Sequence, residues 1–152
     1  MKTNTWLRAS LVAAAILLNT GVAFAHPEIF SSLTIDKARQ AAAKDNKLLI
    51  IDFGAVWCPP CKAMDQVTWV DPTVVAWIKK NAIALQIDVD KDRDIAQEMD
   101  VQAFPTVLIF KPRNLAKEAD RKIGFQSPSI LLKWLNSKVP ASTAAPAPVK
   151  AK

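Results

Sequence analysis

The chain contains two cysteines, Cys58 and Cys61, and they stand directly after an apolar run, separated by two prolines. That run, residues 48–53, has the length and composition of a buried strand and is interrupted by one acid, Asp52. Proline fits the first turn of a helix, because the N–H groups there have no acceptor within the helix. The pattern therefore predicts a strand, a short loop and then a helix that begins at Cys58.

A cysteine at a helix N-terminus is activated chemically. The free N–H groups and the partial positive charge of the helix end favour the thiolate and so lower the pKa of the thiol. The thiolate is the species that attacks a disulfide, and a second cysteine one turn later can resolve the mixed disulfide. Cys58 is thus the candidate nucleophile and Cys61 the candidate resolving thiol.

Two other interpretations of the pair stay open. A zinc site needs about four ligands, and the chain offers no third cysteine and a single histidine, His26. A purely structural disulfide across so short a loop would constrain the unfolded chain little. We therefore favour a redox pair and expect neither a metal ion nor another cofactor.

The first 25 residues have the pattern of a cleaved export signal. They contain Lys2 and Arg8, an apolar stretch at 11–18, and Ala23-Phe24-Ala25, whose small-x-small form fits a signal-peptidase site. We expect a mature protein that begins at His26 and resides in the periplasm. The alternative is an uncleaved membrane anchor, because the apolar stretch approaches the ~20 residues that span a bilayer.

The composition of the remainder excludes some classes of function. Removing residues 1–25 removes two basic residues and no acids, so the formal charge falls from +6 to +4. No basic run is interleaved with aromatic residues, so binding to nucleic acid is not expected. An exported domain large enough to bury a core does not need a disulfide for its stability, which again favours a redox-active pair. Residues 140–152, rich in alanine and proline, predict a disordered tail.

The folded domain, residues 26–139, is predicted to be α/β, with a central mixed sheet of four to five strands flanked by helices. Apolar periodicity, caps and prolines predict helices at 34–45, 59–69, 72–81 and 94–99 and a last helix from 128. They predict strands at 48–53, 82–89, 106–110 and 118–124, with a short edge strand at 29–33.

Three separated features resemble the thioredoxin superfamily. They are the sequence WCPPCK at 57–62, Asp52 six residues before the first cysteine, and Phe104-Pro105-Thr106 before the third long strand. The resemblance covers roughly residues 30–139 and implies the thioredoxin fold. The insertion Asp71-Pro72 is most similar to the C-terminal domain of the membrane-embedded bacterial thiol:disulfide interchange proteins.

The resemblance also implies a substrate surface. Pro105 would follow a cis peptide bond and lie against the cysteines, with the backbone of Phe104 pairing with an incoming peptide. Trp57 would pack beside the cysteines and shape that surface. From the residues alone, an ordinary trans proline at a strand start is equally open, and a plain core position is the alternative for Trp57.

The same resemblance gives Asp52 a role. Burial should raise the pKa of this carboxyl, and a raised acid near Cys61 can take and return the proton of the resolving thiol. The alternative is a strand-end acid that reaches water. The family often places a lysine beside this acid on the second strand, and the matching position in this chain is assigned to Ala84, which leaves Asp52 less charge-compensated.

We therefore expect an exported protein-disulfide reductase. Two prolines between the cysteines provide neither a histidine nor an N–H for the Cys58 thiolate, and a less stabilised thiolate makes the pair more reducing. The expected partners are disulfide-containing clients and a membrane-bound thiol/disulfide electron donor, and we expect a monomer. The alternatives are a disulfide oxidase or isomerase, or a peptide-binding or chaperone module on the same fold.

Overall fold

The computed structural model describes residues 27–139. The predicted export signal, His26 and the predicted tail therefore lie outside the described residues. Within that range the protein forms one mixed sheet with the strand order β2-β1-β3-β4, in which β1 and β2 are parallel and the other pairs are antiparallel. The strands are β1 (Leu48–Gly54), β2 (Ala82–Asp88), β3 (Thr106–Lys111) and β4 (Asn114–Ile123). The predicted mixed α/β sheet is confirmed.

Four of the five α-helices of residues 27–139 begin at a side-chain cap. The helices of this range are α1 (Ile35–Lys44), α2 (Pro59–Ala63), α3 (Pro72–Asn81), α4 (Arg93–Glu98) and α5 (Pro128–Asn136). Side chains that accept a hydrogen bond from a first-turn N–H cap α1, α2, α3 and α5; these are Thr34, Cys58, Asp71 and Ser127. Such caps satisfy donors that the helix itself leaves free. Within residues 27–139 no helix has the length and hydropathy of a membrane span.

Two apolar layers cover the sheet. Leu49, Ile51 and Phe53 of β1 pack with α1 and α4 on one face, whereas Leu48 and Ile50 pack with α3 and α5 on the other. Every residue of β1 is buried, as expected for a central strand covered on both sides. A polar side chain in β1 must therefore find its partners inside the protein.

The segment after the cysteines differs from the prediction of one α-helix to residue 69. α2 ends at Ala63 and continues as a π-helical turn, Met64–Thr68. The N–H of Trp69 closes this turn by donating to the carbonyl of Met64, five residues earlier, at 2.9 Å. Single π-helical turns inside helices often occur at functional sites, because the extra residue redirects the side chains that follow.

Two strand boundaries also differ from the sequence prediction. β4 begins at Asn114, four residues before the predicted start at residue 118. The predicted edge strand at 29–33 is reduced to one parallel bridge between Phe30 and Ala84. The start of β4 was missed because none of its residues is buried, so polar residues there interrupt the apolar alternation that would mark a strand.

The side chain of Arg121 in β4 ties this strand to the loop before β3. Its guanidinium donates to the carbonyl of Asp100 at 2.9 Å and to that of Met99 at 3.2 Å, and it pairs with Glu118. Asp100 has a φ of 50°, in the left-handed region that few residues adopt without support. These bonds fix the start of the segment 101–105.

We expect Arg121→Met to lower the free energy of unfolding by about 1–3 kcal/mol, because it leaves two carbonyls and a carboxylate without their charged donor. Urea denaturation measures the change. Lys117→Met is the matched control, because Lys117 is exposed on the same strand and its loss should change stability by less than about 0.5 kcal/mol. Equal effects of the two substitutions would contradict the assignment of a bracing role to Arg121.

Candidate active site

The two cysteines lie at the junction of β1 and α2. They form a disulfide with an S–S distance of 2.06 Å and a Cα–Cα distance of 5.3 Å. Cys58 is the N-cap of α2, and the backbone N–H of Cys61 donates to its Sγ at 3.3 Å. Cys58 is 3% exposed and Cys61 is 6% exposed. Cys58 is thus at the helix start, as the sequence predicts, and both sulfurs are largely shielded in the disulfide state.

Gly54 lets the cysteines approach the end of β1. A Cβ at this position would lie 3.3 Å from the Sγ and 3.4 Å from the Cβ of Cys61, which is closer than most real contacts. Alternate residues of a strand share a face, so the side chain of Asp52 lies on the side of β1 over which Cys61 packs. Cys61 therefore closes over the end of the face that holds the candidate proton acceptor, and it also packs with the apolar layer of Leu49, Ile51 and Phe53 on the other face.

Asp52 is 2% exposed and depends on neutral donors. Its Oδ2 accepts hydrogen bonds from Nε1 of Trp69 and from Nε2 of Gln86, each at 3.1 Å. No group within residues 27–139 hydrogen-bonds to its Oδ1. Burial is the largest cause that raises the pKa of Asp52 to about 7, and the nearby charge of Asp65 adds to it, while the two donors act in the opposite direction. The carboxyl can therefore gain or lose a proton near neutral pH.

The assignment of Ala84 as the neighbour of Asp52 is wrong. In the β1–β2 register Asp52 lies opposite Gln86, and Ala84 lies opposite Ile50. The predicted register of β2 against β1 was wrong by two residues. Such a shift leaves each side chain on the same face of the sheet but changes the residue that lies opposite Asp52. Gln86 also donates to Oδ1 of Asp65 at 2.8 Å. A neutral amide that bridges two carboxylates thus occupies the place at which the family often has a lysine.

Two of the predicted substrate residues, Trp57 and Phe104, form an aromatic rim beside the disulfide. Trp57 is 60% exposed. Its Nε1 donates to Oδ2 of Asp90 at 2.8 Å, and its ring meets the ring of Phe104 edge to face with centroids 6.2 Å apart. The peptide bond between Phe104 and Pro105 is cis. The exposure of Trp57 excludes a plain core position and leaves its ring on the surface next to the cysteines.

Trp69, Trp77 and Trp134 are all predicted to be core residues from the sequence. Trp69 and Trp134 are buried, but Trp77 is only half-buried and donates to Oδ1 of Asn136. Sequence reasoning missed the contact of Trp69 with Asp52. The available signal was general: a buried tryptophan usually finds an acceptor for its N–H, and Asp52 was the one acid in the strand predicted to be fully buried, residues 48–53. Within the described range, no set of three or more His, Cys, Asp or Glu side chains could hold a metal ion.

The pKa of Asp52 makes a pH dependence of stability testable. Its pKa is raised from 3.8 to about 7 on folding, so the native state holds a proton that the unfolded state releases, and stability falls as pH rises between these values. Asp52→Asn cannot ionise. We therefore expect the stability of this variant relative to the wild type to increase by up to roughly 4 kcal/mol between about pH 4 and about pH 8.

Urea denaturation of the disulfide form across that pH range measures the difference. Asp94→Asn is the control, because Asp94 is an exposed carboxyl and its loss should change stability by less than about 0.5 kcal/mol. A constant difference between Asp52→Asn and wild type would contradict the raised pKa.

Comparison with known proteins agrees with this geometry. Residues 30–112 match a family model described as thioredoxin-like. A thioredoxin H-type protein of Brassica oleracea is 38% identical over 106 residues, which are 68% of this chain and 79% of the relative. The oxidised mitochondrial thioredoxin 3 of Saccharomyces cerevisiae is 30% identical, with a TM-score of 0.56 over 74% of this chain and 99% of its own.

A more distant structure shows the same fold. The DsbH oxidoreductase is 15% identical, with a TM-score of 0.62 over 71% of this chain and 83% of its own. Together with the family model and the disulfide-forming pair, these likenesses establish the class of the protein. The chain belongs to the thioredoxin superfamily, and Cys58 and Cys61 are the CxxC pair of a thioredoxin-like thiol-disulfide oxidoreductase.

Proposed function

We propose that the protein is exported to the periplasm and reduces disulfides in extracytoplasmic client proteins. The observation that carries this proposal is the Cys58–Cys61 disulfide at the start of α2, on the side of β1 that also holds the buried carboxyl of Asp52. This arrangement supplies a nucleophile, a resolving thiol and a proton acceptor. The electrons enter from a dithiol donor in the membrane.

The first step forms a mixed disulfide. The Cys58 thiolate of the reduced protein attacks one sulfur of the client disulfide. A bond forms between Sγ of Cys58 and that sulfur, the client S–S bond breaks, and the other client sulfur leaves as a thiolate. The N–H of Cys61, which donates to Sγ of Cys58 in the disulfide form, is placed to stabilise the attacking thiolate.

The second step releases the client. Ionised Asp52 takes the proton of the Cys61 thiol, and the resulting thiolate attacks Sγ of Cys58. The Cys58–Cys61 bond forms, the bond to the client breaks, and the second client sulfur leaves as a thiolate. Two electrons have then passed from the cysteine pair to the client, and a dithiol donor of the membrane returns two electrons by the same exchange in reverse.

The reducing direction is supported by the first turn of α2. Pro59 and Pro60 have no N–H, so the N–H of Cys61 is the first that the helix can direct at Sγ of Cys58. Fewer donors stabilise the thiolate less, and a less stabilised reduced form is a stronger reductant. An oxidase or isomerase is the competing redox assignment and would need a better stabilised thiolate.

A peptide-binding role is the second candidate, and the exposed rim favours it. Trp57 is 60% exposed and its ring meets that of Phe104, and the neighbouring Val56 is 67% exposed. Apolar side chains of this kind can hold an extended peptide without any redox step. The double variant Cys58→Ser/Cys61→Ser separates the two functions, because a binding module keeps its affinity for clients and a reductase loses its activity.

The test of the proposed reaction uses the mature protein, reduced beforehand and mixed with a disulfide-containing protein. We expect free client thiols to appear, as detected by alkylation, and none with the double variant. In the converse mixture, the disulfide form with a reduced client, transfer of the Cys58–Cys61 disulfide to the client without reduction of client disulfides in the first mixture would assign the oxidase role.

The test of export uses the full-length chain in a bacterial host with a periplasm. We expect a periplasmic protein whose mass corresponds to a start at His26. A protein that keeps residues 1–25 and fractionates with membranes would assign the uncleaved anchor. A cytoplasmic full-length protein would refute export.

A further inference from the structure

The carboxyl of Asp52 is held asymmetrically. Both of its hydrogen bonds go to Oδ2, one from the indole N–H of Trp69 and one from the amide of Gln86. Oδ1 is buried and receives no hydrogen bond from the described residues. An oxygen that already accepts two N–H donors has its lone pairs engaged, and protonating it would cost one of those bonds. The proton of the neutral acid is therefore favoured on Oδ1.

The side chain of the donor Trp69 is held in place by burial and packing. Its side chain is 0% exposed, and its ring packs edge to face with Phe30 at a centroid distance of 5.2 Å. Its position follows from the π-helical turn, because its backbone N–H donates to the carbonyl of Met64 and completes that turn. A buried indole has few alternative acceptors, so the bond to Asp52 also satisfies Trp69 itself.

We propose that Trp69, with Gln86, positions Asp52 by holding Oδ2, so that Oδ1 alone carries the proton exchanged with the Cys61 thiol. This inference rests on the proposed function, since it refines the proton transfer in the resolving step. Trp69 is a positioning residue, because it acts through Asp52 and does not touch the sulfurs that react. The proton leaves Cys61 as its thiolate forms and remains on Oδ1 until solvent or the next thiolate takes it.

The groups around Asp52 are consistent with this assignment. Asp65, from the π-helical turn, is the charged group that acts on it. β2 contributes neutral Gln86, and β3 places Val107 opposite Asp52. On reduction, the thiols of Cys58 and Cys61 at the start of α2 become titratable as well. The two groups that donate to Oδ2 are neutral and do not titrate, so both hydrogen bonds keep their donors at every pH at which the protein works.

The first test is infrared spectroscopy of the disulfide form at a pH at which Asp52 is protonated. The carboxyl C=O band of Asp52 is the one missing from Asp52→Asn. If Oδ2 is the carbonyl oxygen held by two donors, Trp69→Phe removes one donor and shifts the band to higher wavenumber. Trp77→Phe is the matched control, because it removes the indole that donates to Asn136 and should leave the band unchanged. A band that does not move in Trp69→Phe overturns the proposal.

A second measurement needs no substitution and tests the hydrogen bond between Trp69 and Asp52 even if Trp69→Phe does not fold. In wild-type protein labelled with ¹⁵N-tryptophan, the indole N–H signal of Trp69 should titrate with the same midpoint as the Asp52 carboxyl. The Trp77 signal should stay constant through that transition. A Trp69 signal that does not respond would overturn the proposal.

The functional readout is the pH dependence of the resolving step. Trp69 donates to the carboxylate, so its loss should raise the pH midpoint of this step by about one unit, while Trp77→Phe leaves it unchanged. An unchanged midpoint in Trp69→Phe overturns the link to Cys61. If wild-type protein reduces no client disulfide, the proposed function fails. This failure can be told apart from a failure of the positioning role of Trp69, because both spectroscopic tests use the disulfide form alone and need no client.

Discussion

Replacement of Cys61 by serine should convert the protein from a catalyst into a trap for its clients. Cys58 can still attack, but no resolving thiol remains, so the mixed disulfide accumulates at about one client per chain. Replacement of Cys58 by serine should lower turnover by roughly 10³-fold or more, because the nucleophile itself is lost. Non-reducing gels and mass spectrometry detect the adduct and identify the bonded cysteine.

The control for the trap is the double variant, which should form no adduct. An adduct on Cys61 in Cys58→Ser that forms faster than the one on Cys58 in Cys61→Ser would reverse the assigned roles. Turnover of Cys61→Ser at the wild-type rate would remove the resolving role. The geometry favours Cys58 as the attacking thiol and Cys61 as the resolving thiol, since Cys58 is the N-cap of α2 and its Sγ accepts the N–H of Cys61, whereas Cys61 packs against Gly54.

The second large effect is expected for Asp52→Asn in the resolving step. A positioned general base contributes typically about 10²–10⁴-fold, and we expect release of the client from the mixed disulfide to slow by roughly 10²-fold near neutral pH. The first attack, by Cys58, should be nearly unchanged. Single-turnover experiments quenched with acid separate the two steps, because the mixed disulfide accumulates only if the second step is slow.

The pH dependence sharpens this test. The pKa of Asp52 is about 7, so the wild-type resolving rate should rise as pH passes through that value and the carboxyl ionises. Asp52→Asn should lose this rise, and Asp94→Asn should keep it. A wild-type rise that persists in Asp52→Asn would assign the proton transfer to another group.

Asp52 thus has opposite effects on stability and on catalysis. Its ionised form is unfavourable in the folded protein, because burial is the main cause of its raised pKa, yet that same form is the base required by the proposed mechanism. A carboxyl on a buried strand breaks the usual rule that such positions are apolar, and such exceptions concentrate at functional sites. The stability gain predicted for Asp52→Asn at high pH and its loss of resolving rate are two consequences of one carboxyl.

Local chemistry in the sequence predicted much of this architecture. The start of α2 at the cysteines and the start of α3 at Pro72 follow from prolines and caps, which act within a few residues. The burial of Asp52 followed from its place in an apolar run. Each of these features depends on neighbours in the chain, and the sequence contains that information directly.

The surroundings of Asp52 depend on contacts between distant segments. Gln86 reaches it through the register of β1 and β2, and a shift of two residues preserves the apolar pattern while changing the partner. Trp69 reaches it through a π-helical turn, which no local pattern distinguishes from an α-helix. Asp90 reaches Trp57 across a loop. Pairings of this kind are set by packing of the whole domain.

The reduction potential of Cys58 and Cys61 decides whether they act as a reducing pair. The mature protein is equilibrated with glutathione buffers, and the dithiol fraction is read from thiol alkylation or from the fluorescence of Trp57. We expect a value of about −230 mV or below, in the range of thioredoxins and glutaredoxins. A value near about −120 mV, that of a strong disulfide oxidant, would contradict the reducing role and assign the protein to the formation of disulfides in exported clients.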